Sequence, residues 1–89
     1  MILSLADRIG YELDEVMREF ENEEGYVRPY KEDENGRFIG LVEEMTKVLK
    51  SHNTTFKYSI NDSDCGDYAS VSFAYVADGE LCLYSFLID

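Results

Sequence analysis

The chain has 89 residues, 19 of them acidic against 8 basic, and a formal net charge of −11. That length supports one domain with one modest core, burying roughly 60–65% of the unfolded surface. Apolar and aromatic contents of 45% and 13% separate it from disordered chains. So much negative charge repels nucleic acid and anionic membranes. Neither is therefore expected as a direct partner, and the attraction is to basic protein surfaces or divalent cations.

Ile2, Leu5, Ile9, Leu13, Val16 and Phe20 recur at three- and four-residue spacing, which predicts a first amphipathic helix. Ser4 and Asp7 suit its N-terminal cap. Gly10 is unfavourable inside a helix and is read as a close approach to a sheet. The opposite side is acidic: Asp7, Asp14 and Glu21 succeed one another every seven residues, about 10 Å apart along a helix axis, with Glu12, Glu15 and Glu19 beside them. Arg8 and Arg18 offset part of that charge. Asn22-Glu23-Glu24-Gly25 is read as the helix end, with Gly25 the left-handed cap residue.

Residues 26–31 are expected to be extended, because Pro29 removes a backbone donor and keeps Arg28 out of helical geometry. They form either a short edge strand or a crossing segment. Glu32-Asp33-Glu34-Asn35-Gly36 is turn-like, and Asn35-Gly36 suits a hairpin between residues 27–30 and 37–39. The helical period that follows Gly36 favours a second helix instead. Phe38, Leu41, Val42, Met45, Val48, Leu49 and His52 share one face of it, with Glu43 and Lys47 well spaced for an ion pair. Asn53 ends it.

Residues 56–89 read as three antiparallel strands. Asp78-Gly79 is a two-residue turn tolerant of positive φ at both positions, so Ala77 faces Glu80. Counting back pairs Tyr75 with Cys82, Phe73 with Tyr84, Val71 with Phe86 and Ala69 with Ile88, all on one apolar side. The other side alternates Ser70, Ser72 and Ser85 with Ala74, Val76, Leu81, Leu83 and Leu87. A one-residue slip would exchange the sides, so the pattern holds the register.

The fold class is accordingly α+β. A two-layer sandwich packs two amphipathic helices on a three-stranded antiparallel sheet in the order α-α-β-β-β, with residues 26–31 a candidate fourth strand. Cys82 falls on the inward side and Cys65 in a polar loop, which is no disulfide framework. Met1-Ile2-Leu3 is too short an apolar run for a signal peptide and no run approaches ~20 residues, so a reduced cytoplasmic protein is expected.

No catalytic motif stands out. His52 is the only histidine, and its ordinary place is at a helix C-terminus. One histidine and two cysteines without ligand spacing make no zinc set, and the scattered glycines make no phosphate loop. The run from Asn61 to Asp67 departs from a calcium loop, since Gly66 at its sixth position puts Ser72 where a bidentate Glu is needed. No metal or cofactor is expected, and the chain is expected to be no enzyme.

The acidic groups carry the functional expectation. Glu19, Glu21, Glu23 and Glu24 run into Glu32, Asp33 and Glu34, with Tyr26 and Tyr30 between them as interface anchors. Asp62, Asp64 and Asp67 form a second acidic loop. A solvated face is the ordinary account of such runs, but a charge this lopsided also destabilises a small domain, which leaves room for a use. The expected use is inhibition by binding a positively charged, nucleic-acid-handling protein, with carboxylates standing in for phosphates. Phage anti-restriction and anti-CRISPR inhibitors and immunity proteins against nuclease toxins share that strategy. The alternative is an assembly subunit that dimerises through Val76, Leu81, Leu83 and Leu87. A metal-dependent enzyme using Asp62, Asp64 or Asp67 ranks below both.

Overall fold

The structure is a computed structural model describing residues 3–62 and 68–88. The protein is of the α+β class. Its elements run α1 (Leu5–Glu19), β1 (Tyr30–Glu32), β2 (Phe38–Gly40), α2 (Leu41–Ser51), β3 (Phe56–Asp62), β4 (Ala69–Ala77) and β5 (Glu80–Ile88). They make two antiparallel sheets, β1-β2 and β3-β4-β5. No described helix is long and apolar enough to cross a membrane.

The helix stripes and the inward side of the larger sheet meet in one cluster. Ile9, Leu13 and Phe20 come from the first helix and its cap, Leu41, Met45 and Leu49 from α2, and Val71, Phe73, Tyr75 and Ala77 from β4. Complete burial of a side chain such as Leu13 or Ile9 contributes about 1.5–3 kcal/mol. The register of β4 with β5 runs from Ala77↔Glu80 to Ala69↔Ile88, as the alternation predicts. Asp78 and Gly79 both adopt positive φ, 55° and 76°, which the short turn demands. The turn also reaches the first helix: the Ala6 N–H donates to Asp78 Oδ2 at 3.2 Å, beside the Ser4 hydroxyl that accepts from the Asp7 N–H at 3.1 Å. Two of the free amides at that helix start are thereby satisfied.

The middle of the chain departs from expectation. Residues 30–32 pair with residues 38–40 as a separate hairpin and do not join the larger sheet. The second helix begins at Leu41, so Phe38 leaves its apolar face and stands 74% exposed. The physical reason lies in the turn. Asp33 Oδ1 accepts from the N–H groups of Asn35 and Arg37 at 2.8 and 2.9 Å. The Asp33 N–H donates to the Arg37 carbonyl, and Gly36 supplies the positive φ of 77°. Those local bonds outweigh the helical period of one phenylalanine. Gly40 then serves as N-cap, and the Leu41 N–H donates to the Pro29 carbonyl at 2.8 Å.

Three local expectations are also corrected. The first helix ends at Glu19, capped at Phe20. Gly25, with φ of 88°, lies instead in the turn between the bridge partners Glu21 and Val27. Gly10 approaches nothing, since a Cβ built on it meets no atom within 4 Å. Lys47 pairs with Glu44 at 3.0 Å, one turn position from the expected Glu43.

Candidate functional site

The expected acidic segment folds into two tight turns, the first of them tied to the end of α1. The Arg28 N–H donates to the Phe20 carbonyl at 2.9 Å and lays the segment along the helix end. Lys31 then sits 4.9 Å over the Phe20 ring and 3.4 Å from Glu19 Oε2, a cation held by both a ring face and a carboxylate. In the first turn, Asn22 Oδ1 accepts from the N–H groups of Glu24 and Tyr26 at 2.9 and 3.0 Å. That leaves Glu23 and Glu24 exposed at the tip and Tyr26 exposed at the exit. In the second turn, Asp33 holds the backbone as described, while Glu32 and Glu34 face solvent.

Strand alternation sorts the hairpin side chains. Tyr30 and Glu32 share a side with their partners Gly40 and Phe38, and Lys31 and Ile39 occupy the other. The first side is open: Tyr30 is 63% exposed. Tyr26 and Tyr30 are therefore available at the surface among the glutamates. Asp33 is partly buried with one oxygen committed to the turn, so it belongs to the scaffold that presents Glu32 and Glu34.

A cleft of about 220 Å³ adjoins the hairpin, walled by Tyr30, Val42, Tyr58 and Ile60, with Glu43 on its lining. Tyr58 and Ile60 are opposite Phe73 and Val71 on the inward side of the larger sheet, yet about half of each is exposed. Tyrosine faces beside a carboxylate attract a lysine or arginine side chain. The sequence reading missed this cleft. Parity says on which side of a sheet a residue lies, and nothing in it says how far the helices reach across.

Asp62 is exposed at the end of β3, while Asp64 and Asp67 lie outside the described residues, as does Cys65. Among the described residues no group of three His, Cys, Asp or Glu could hold a metal ion. Cys82 is a free, partly buried thiol. Val76, Leu81, Leu83 and Leu87 are all exposed on the outward side of the larger sheet. His52 caps α2, and its Nε2 meets the Glu12 carboxylate of α1, a tie between the two helices for which sequence spacing gave no partner. Similarly, the Tyr84 hydroxyl donates to Asp14 Oδ1 at 2.5 Å. Burial, and next that hydrogen bond, hold the Tyr84 phenol far above its ordinary range. Tyr75 is also raised, chiefly by burial. Both tyrosines stay protonated and act as packing groups.

No protein family, curated protein or solved structure matches the chain significantly.

Proposed function

We propose that this protein is a small, non-enzymatic, cytoplasmic inhibitor that works by stoichiometric binding. It presents carboxylates and tyrosines to the basic nucleic-acid cleft of a nucleic-acid-handling protein. One observation carries the reading: Glu23, Glu24, Glu32 and Glu34 stand exposed on or beside two turns whose backbones Asn22 and Asp33 already hold. A pre-ordered array of this kind loses little freedom on binding, and spaced carboxylates offer a basic cleft the charge pattern of phosphates. Tyr26 and Tyr30 supply apolar anchorage between the charges. In this reading the helices form one layer and the larger sheet the other, and the acidic turns project from the end of the sandwich.

The test is competition. A partner recovered with this protein should lose its nucleic-acid binding as one equivalent of the protein is added, and regain it when Glu32→Lys/Glu34→Lys is used instead. A ternary complex of partner, nucleic acid and protein would rule out surrogate binding at the cleft.

A further inference from the structure

We propose that the outward side of the β3-β4-β5 sheet is a self-association surface, on which two copies pack the β5 leucines together across a two-fold axis. This inference stands apart from the acidic turns and does not depend on them.

The first ground is the make-up of β5. Its inward residues Cys82, Tyr84, Phe86 and Ile88 pack against the core, yet its outward residues include Leu81, Leu83 and Leu87. A strand apolar on both sides is the mark of one covered on both sides. Here the outward side is bare, with Leu81 70% and Leu83 73% exposed. The second ground is charge. By the register of the sheet, the outward residues of β3, β4 and β5 include no Asp or Glu, and their one charged member is Lys57, in the row Lys57–Ala74–Leu83. In a chain of −11, an acid-free surface is where two like copies meet without opposing carboxylates. A basic partner gains nothing there, whereas a second copy brings a matching neutral strip by symmetry.

One further fact fits. The Ser85 hydroxyl donates to Ser72 Oγ at 3.1 Å, so the polar row between the leucines is already hydrogen-bonded and less costly to cover.

Sedimentation equilibrium of the wild-type protein, from low to high micromolar concentration and at two salt levels, tests this. The expected mass is twice the 10.3 kDa of the chain, with association strengthened by salt as the residual repulsion is screened. Leu83→Asp should weaken it at least about 100-fold by burying an unpaired carboxylate in each copy. Leu83→Ser should act in the same direction more mildly, and both should keep the wild-type circular dichroism. A wild-type protein that stays at the single-chain mass overturns the proposal whatever the variants do. A dimer that survives Leu83→Asp also overturns it, and places the contact elsewhere on the molecule.

Discussion

Asp33 and Glu34 are adjacent carboxylates with different work. One oxygen of Asp33 accepts two backbone amides and shapes the β1–β2 turn, whereas Glu34 is exposed. Asp33→Ala should therefore destabilise the protein by about 1–2 kcal/mol, since each lost hydrogen bond costs about 1 kcal/mol. Glu34→Ala should change stability by no more than about 0.5 kcal/mol. Chemical denaturation of the two variants checks the contrast. Gly10 works the other way. With helical geometry and open space around its missing Cβ, Gly10→Ala should raise stability by about 0.5–1 kcal/mol, read as a higher denaturation midpoint.

Tyr84 predicts a pH dependence. Its phenol ionises in the unfolded chain near 10.0 and stays protonated to higher pH in the folded one, because of burial and the Asp14 hydrogen bond. Above that unfolded value the unfolded state holds fewer protons than the folded state, so stability falls as pH rises. The stabilisation is complete below about pH 9 and declines from about pH 10 upward. Tyr75, raised in the same direction, adds to the decline. Thermal melts across that range should show a shallower alkaline fall for Tyr84→Phe than for wild type; an equal slope would mean that Tyr84 ionises alike in both states.

At the scale of elements, the β4–β5 hairpin was legible because two independent constraints agree. Asp78-Gly79 sets the turn, and the alternation of Val71, Phe73 and Tyr75 sets the sides. The β1–β2 hairpin was half legible: Asn35-Gly36 offered it, and the helical period after Gly36 outweighed it. Its strands have three residues each, too few to show a period, and Phe38 falls by chance at a helical spacing from Leu41 and Met45. The bonds that decide the matter come from one aspartate side chain, which in sequence looks like its acidic neighbours. The first helix was legible in its face but not in its end. Gly25 signalled a positive φ correctly, and the bridge between Glu21 and Val27 moved it from a cap to a turn. Of the candidate site, composition revealed the charge and residue order the place of the tyrosines between the acidic runs. The cleft beside Tyr58 and Ile60 depends on how far α2 extends over β3, which is a tertiary fact.

At the scale of the molecule, charge is not spread evenly. Glu23 and Glu24 in one turn, and Glu32 and Glu34 at the other, are exposed carboxylates, while the outward side of the larger sheet has none among its described residues. The two surfaces should respond to salt with opposite signs: attraction to a basic partner weakens as charges are screened, and association of like copies strengthens. Leu83→Asp should break self-association and leave acidic-turn binding intact, and Glu32→Lys/Glu34→Lys should do the reverse. None of the three residues belongs to the core cluster, so both variants should fold.

Affinity capture from native host lysate, with wild type and Glu32→Lys/Glu34→Lys as parallel baits at low and raised salt, tests the central claim most directly. Electrostatic docking through the acidic turns predicts that the wild-type bait retains a nucleic-acid-handling protein at low salt and releases it as salt rises, and that the charge-reversed bait fails to retain it. Equal capture by both baits, or capture indifferent to salt, would contradict the account and leave the −11 as a device for solubility.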